Sequence, residues 1–525
     1  MKRLIILTLM LLAAAVTITV AYFKKLSPPG AHTNQIISTI PNTAALIFEF
    51  DNDDSFYDIY DSSSLFSSVI GEQQLQGLNT LQNAFLRNPV LKAAFYDQNI
   101  YVSIHPQAEG VPALLFTLPV KNAVTTETVT ALHDTAITIK AIDLAGKPGY
   151  CIHLNKQNQD FYLTTKGRNV FTGSFSKLLL EQAAAYEPKQ TSSTFKLLPA
   201  QQSANSLGNL YINNLAFTPL FDALFKQHNP DFLKPLRILP ATAALTLNYK
   251  SDALMFNGYT NFNAHGAVSY LNLFSAFKPV NNHLKNIFPL TTAYSNNFAV
   301  DDINKFIYKL ADWQRKAGLS TERSSLFKKI KQETGIQIDN EFNKQLGHEF
   351  AILTTRFDEK LVIVELKDGS ALRPFLTNIS TMTDDESGQL NYDRIPYYLL
   401  GDVFNAVKRP HFIILDNYLI LANTKREISN YKDNYLNARF LSHSTVFNEF
   451  NNLLSQQCNV AFYVNFKNSA FIFKRHLKPQ TYQLYQQQSG LNNFYGASYQ
   501  LSASDNEFYT NFCMKLDTAS SAGTK

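Results

Sequence analysis

The sequence predicts an α+β protein made of two tandem copies of a mainly antiparallel sheet-plus-helices unit, set behind an N-terminal transmembrane helix. Three observations carry that prediction. Leu4 to Phe23 is apolar except for Thr8, Thr17 and Thr19, and is flanked by Lys2-Arg3 and Lys24-Lys25; twenty helical residues match a hydrocarbon core about 30 Å thick. The 525 residues exceed one ordinary core, and 45% apolar with 17% charged residues describes a chain that buries a core. Strand-like phrases also recur in one order at a spacing of about 250 residues.

Taken in order, residues 1–23 read as a signal anchor. Leu4 to Leu12 followed by Ala13-Ala14-Ala15 also offers a small-residue cleavage pattern, but cutting there leaves Val16 to Phe23 as an apolar terminus, which favours an uncleaved span. The expected location is the cell membrane, single-pass, with the body on the extracytoplasmic side. Residues 24–39, with Ser27-Pro28-Pro29-Gly30, read as a spacer. The first copy spans 40–262, a linker 263–287, the second copy 288–516, and a tail 517–525.

The copies align through several phrases. Ile40-Pro41 and the strand Ala44 to Phe50, followed by Asp51, match Phe288-Pro289 and Thr291 to Val300, followed by Asp301. Ile100-Tyr101-Val102-Ser103 faces Phe350-Ala351-Ile352-Leu353, and Leu114 to Leu118 faces Val362 to Leu366. Hairpins turn through Lys166-Gly167-Arg168-Asn169 and Asp416-Asn417, the latter a two-residue loop that needs positive φ. Leu210-Tyr211-Ile212-Asn213 matches Phe462-Tyr463-Val464-Asn465, and Tyr259-Thr260-Asn261-Phe262 matches Tyr509-Thr510-Asn511-Phe512. Helices between hairpin-paired strands imply antiparallel sheets with helices on one face.

The candidate chemical motifs each have a plainer reading. Asp51-Asn52-Asp53-Asp54-Ser55 opens like a calcium loop, but Phe56 replaces the turn glycine and Ser62 the closing glutamate; helix capping explains it and Asp301-Asp302 alike. Ser174-Phe175-Ser176-Lys177 has Ser-x-x-Lys spacing and Ser504-Asp505-Asn506 a companion motif, but no Lys-Thr-Gly accompanies them. The second copy has the capping box Thr424-Lys425-Arg426-Glu427 at the matching place, so Ser174 reads as an N-cap and Ser504-Asp505-Asn506 as a turn. His348-Glu349 begins a zinc-protease motif that Ile352 ends. No catalytic, cofactor-binding or metal residue is assigned, no cofactor is expected, and the chain is read as a non-enzyme.

A net charge of +5 is slight. The patches Lys328-Lys329-Ile330-Lys331 and Lys474-Arg475-His476 read as solvated helix faces, which argues against nucleic acid as a partner. Cys151 reads as a buried free thiol, and pairing of Cys458 with Cys513 is left open. The 40 Phe and 26 Tyr read as core, with an apolar groove at Phe217 to Phe225 and Phe471 to Leu477 as the alternative.

The apolar N-terminus, the Pro-containing spacer and the opening Ile40-Pro41-Asn42-Thr43-Ala44-Ala45-Leu46-Ile47-Phe48-Glu49-Phe50 before an acidic cap resemble uncharacterised bacterial membrane-anchored envelope proteins of a domain family of unknown function. That resemblance implies a bacterial envelope location and supplies no site residues. The expected partners are the membrane through the N-terminal helix and either an envelope protein or a lipid-like hydrophobic ligand; the expected role is binding or scaffolding, with carriage of that ligand, or hydrolysis at an unrecognised site, as alternatives.

Overall fold

The computed structural model describes residues 31–52, 56–57, 64–95, 98–107, 111–121, 128–129, 132, 134–167, 169–187, 195, 206–226, 236, 239–262, 269–486 and 490–517. Twenty strands join in one antiparallel sheet. The first copy contributes β1 (Leu46–Asp51), β2 (Asn99–His105), β3 (Ala113–Pro119), β4 (Ile137–Leu144), β5 (Lys147–Leu154), β6 (Gln159–Lys166), β7 (Val170–Ser174), β8 (Asn209–Asn213), β9 (Ala241–Lys250) and β10 (Ala253–Phe262). A two-residue strand, β11 (Val280–Asn281), precedes the second copy. That copy contributes β12 (Thr292–Ala299), β13 (Leu346–Thr355), β14 (Lys360–Leu366), β15 (Ser380–Met382), β16 (Ser387–Leu390), β17 (His411–Leu415), β18 (Tyr418–Ala422), β19 (Gln457–Cys458), β20 (Val460–Asn465), β21 (Phe494–Ser504) and β22 (Glu507–Leu516). β11 and β19 pair apart from the main sheet.

Following the pairings across the sheet gives the order β4-β5-β6-β7-β3-β2-β1-β8-β9-β10 for the first half. The second half continues β22-β21-β20-β12-β13-β14-β18-β17-β16-β15. Read outward from the middle, the two halves have the same topology. The copies are therefore joined last strand to last strand, β10 against β22, about a pseudo-twofold axis. Aligning the closing hairpins by their turns, Ser251-Asp252 and Asp505-Asn506, makes Asn257 the counterpart of Asn511, and these two are register partners on the axis. The sequence match of Tyr259-Thr260-Asn261-Phe262 to Tyr509-Thr510-Asn511-Phe512 runs four residues out of step with this. Loops of different length between the copies cause the drift.

This corrects the expected fold class. The chain forms one large antiparallel sheet with helices. The expected transmembrane helix falls in residues 1–23, outside the described residues, and no described helix is long and apolar enough to cross a membrane. Helices also cover both faces of the sheet rather than one. All eight residues of β12 are buried, and β14 reads Lys-Leu-Val-Ile-Val-Glu-Leu with both faces apolar; a strand of that kind needs cover on each side. In the second half Phe350, Val362 and Val364 pack under Ile303–Lys316 and Ser320–Thr334, while Ala351, Leu353 and Ile363 pack under Lys425–Leu436 and Thr445–Asn451.

The stretch read as spacer contains helix Ala31–Thr39, whose Ile36 and Ile37 are core residues of the first half. The stretch read as linker supplies Tyr270, Leu271, Phe274 and Phe277 to the core of the second half. A third shared core sits on the axis, where Phe225 and Leu477 form an antiparallel bridge. They are counterparts, each twelve residues beyond the asparagine, Asn213 or Asn465, that caps the following turn. Lys226 N–H donates to His476 O (2.8 Å) and Lys478 N–H to Leu224 O (3.0 Å), a second symmetric contact.

Candidate functional site

The motifs singled out in the sequence resolve into structural devices. Ser176, not Ser174, caps helix Lys177–Ala185 by accepting from Leu179 N–H (3.3 Å). Ser174 Oγ accepts from Ser176 N–H (3.0 Å) and donates to Leu114 O (2.7 Å). Thr424 and Glu427 form the full capping box. Asp505 and Asn506 have φ of 46° and 67°, a turn that closes β21 onto β22. Asp302 caps Ile303–Lys316, while residues 53–55 of the calcium-like stretch lie outside the described residues. His348 and Glu349 lie on strand β13, and Glu349 accepts from the N–H groups of His283 and Leu284; burial pushes its carboxyl above the usual range against those hydrogen bonds.

The three cysteines are unpaired: Cys458 and Cys513 are buried, and Cys151 is half-buried rather than buried. Desolvation pushes the Cys458 and Cys513 thiols up to about 12, far from nucleophilic poise. The two aromatic stretches proposed for a groove, Phe217 to Phe225 and Phe471 to Leu477, meet each other on the axis, with Phe225, Phe473 and Leu477 in the shared core. The aromatics are core in the main: nine Phe and three Tyr are the bulkiest fully buried side chains among the described residues. Two cavities, of about 20 and 10 Å³, have room for little more than a water molecule each.

A polar constellation that the motifs did not reveal lies on one face of the sheet. Register partners project from the same face, so Tyr101, Glu49, Asn209, Thr246, Asn257, Asn511 and Gln500 form a single row across β2, β1, β8, β9, β10, β22 and β21. The adjoining row carries Tyr211, Ala244, Tyr259, Tyr509 and Ser502. At one end Glu49 is 1% exposed. Its Oε1 accepts from Asn99 Nδ2 and Tyr101 OH (2.8 Å each), and its Oε2 from Asn209 Nδ2 (3.2 Å) and Tyr211 OH (2.5 Å). Four donors around one carboxylate satisfy the charge that burial would otherwise make costly.

At the axis the row opens to solvent. Thr246, Asn257, Tyr259, Tyr509 and Asn511 are half-buried and Asn248 is exposed. The Tyr259 and Tyr509 rings meet edge to face at 5.4 Å, and Asn257 bridges Asn248 and the Tyr509 hydroxyl. Lys515, 3% exposed, reaches Asp252 of the other copy (3.5 Å) and Glu449 (3.4 Å) at the rim. The copies differ here. The counterparts of Glu49, Asn209 and Tyr101 are Asn297, Ala461 and Ala351, and the buried Asn297 Oδ1 has no hydrogen-bond partner among the described residues.

The strip presents amides and phenols, groups that donate and accept hydrogen bonds and offer ring faces; this is binding chemistry rather than bond-breaking chemistry. One pairing of catalytic residue types is Ser103 with His105, whose Nε2 lies 2.8 Å from Ser103 Oγ and Nδ1 2.9 Å from Thr43 Oγ1. Both residues are fully buried, and burial pushes the imidazole down to about 4. This is a satisfied core histidine. Among the described residues no group of three or more His, Cys, Asp or Glu side chains is placed to hold a metal. No family model, curated protein or solved structure matches the chain.

Proposed function

We propose that the chain is a non-enzymatic binding or scaffold protein of the bacterial envelope that engages its partner on the polar strip at the pseudo-twofold axis. The observation that carries this reading is the half-buried set Asn257, Tyr259, Tyr509 and Asn511, drawn equally from both copies and brought together on one face where the copies join. A strip built by joining two copies is available only in the assembled molecule, which gives the duplication a use. Amides flanked by ring faces suit a polar, extended partner able to exchange hydrogen bonds along the strands. The envelope location rests on the sequence alone.

A photocrosslinking side chain at Asn248, in the full chain expressed in cells, is expected to give a discrete adduct. The same side chain at exposed Lys316 should not. Equal labelling at both positions, or none at Asn248, rejects the strip as the binding surface. Turnover of a substrate by the purified protein, abolished by Glu49→Gln, would replace the binding reading with a catalytic one.

A further inference from the structure

Away from the strip, three segments of the second half meet at the surface. Helix Phe466–His476 lies along residues 290–292, with Asn468 Nδ2 donating to Leu290 O (3.0 Å) and Thr292 O (2.8 Å). The tip of the β13–β14 hairpin joins them: Arg356 N–H donates to Thr291 O (2.8 Å), and Arg475 Nη1 to Asp358 Oδ2 (2.7 Å). Their outward side chains are unusual for a surface held in water. Leu290 is 50% exposed, Phe357 60% and Phe471 60%. Around them stand exposed Lys467, Lys474 and Arg356, the last with its guanidinium 4.9 Å from the centre of the Phe357 ring. The helix contains no acidic residue. The two carboxylates of the hairpin tip are engaged, Asp358 by Arg475 and Glu359 by Thr355 Oγ1 and Asn430 Nδ2.

We propose that this patch is a peripheral docking surface for an anionic lipid bilayer, with Phe357 and Phe471 entering the headgroup region and Lys467, Lys474 and Arg356 pairing with lipid phosphates. Charge complementarity selects an anionic partner. The apolar side chains select a bilayer over an acidic protein, because they stand outward on a hairpin tip and a helix face, the arrangement that seats large apolar groups among lipid headgroups. The proposal is independent of the polar strip, which lies elsewhere on the sheet.

The test uses the full chain with Phe357→Cys in a Cys151→Ser background, so that the only accessible thiol among the described cysteines carries an environment-sensitive nitrobenzoxadiazole label. Vesicles of phosphatidylethanolamine and phosphatidylglycerol are expected to raise its emission at least about twofold with a blue shift, and phosphatidylcholine vesicles are not. Lys467→Gln with Lys474→Gln should raise the lipid concentration that gives half of that response roughly fivefold per lysine, about 25-fold together. A label that stays in water while the protein sediments with anionic vesicles overturns the proposal, as does a double variant that responds like the parent. An emission change given by polyglutamate and not by vesicles assigns the patch to an acidic protein instead.

Discussion

At the scale of single residues, the buried polar groups of the first half divide by how completely they are satisfied. Glu49 holds four donors and fixes the positions of β1, β2 and β8 relative to one another. His105 is the more sensitive reporter. Its two ring nitrogens are matched to the Thr43 and Ser103 hydroxyls, and burial holds its pKa at about 4 against 6.5 in an exposed state. A histidine with a depressed folded pKa contributes stability in full above about pH 6.5, because the unfolded chain then gains no extra proton. That contribution falls as pH drops from 6.5 toward 4, by about 3 kcal/mol in all. Urea unfolding of the first half's signal at pH 7.5 and at pH 5 should show the loss. His105→Gln should remove most of the slope between those pH values while lowering stability at both. An unchanged slope would mean that His105 is charged or exposed in the folded state.

At the scale of elements, the sequence was legible wherever a local rule decides the outcome. The Asp505-Asn506 turn, the Asp416-Asn417 turn with Asp416 at φ 49°, and the Thr424 capping box follow from backbone preferences that act over four residues. Legibility fell where a count had to be carried across a loop. Placing the first copy's cap at Ser174 instead of Ser176 is a two-residue error of this kind, and it assigns a cap to a residue that in fact ties β7 to the backbone of β3. The polar strip was hidden for the same reason: Asn248, Asn257 and Asn511 look like ordinary alternating strand residues until the register between β10 and β22 puts them side by side. Helices on both sheet faces were hidden too, since an apolar run such as β14 does not say what covers it. The cap itself makes a local prediction. Thr424→Ala removes the acceptor for Glu427 N–H (3.2 Å) and should cost about 1 kcal/mol, whereas Thr424→Ser should cost little. Hydrogen exchange at the first turn of Lys425–Leu436 should quicken in the alanine variant alone.

At the scale of the whole molecule, the chain is arranged like a symmetric dimer whose subunits have been fused. The symmetry is physical as well as topological, because two separate contacts each pair counterpart residues: Asn257 with Asn511 on the strands, and Phe225 with Leu477 at the ends of the axial helices. An antiparallel pair of equivalent edge strands is what a twofold axis produces, and it leaves no unpaired edge at the centre of the sheet. Each half has ten strands of the sheet and most of its core from its own residues, with Leu236, Leu239 and Ala241 of the first copy added to the core of the second, so each is large enough to fold alone. Freed from its partner, however, a half would expose the whole hydrogen-bonding edge of β10 or β22 together with its share of the axial core. The second half, residues 269–517, should therefore form a homodimer through β22, with Asn511 facing Asn511 across a true twofold. Leu516 N–H donates to Asp252 O, so alternate residues of β22, Phe512 among them, turn their N–H toward β10; light scattering on the purified half should give twice its chain mass, and Phe512→Pro, which removes an N–H directed across the axis, should return it to a monomer. A parent half that stays monomeric and folded would show that the two copies meet through contacts specific to their differences rather than through a symmetry they share.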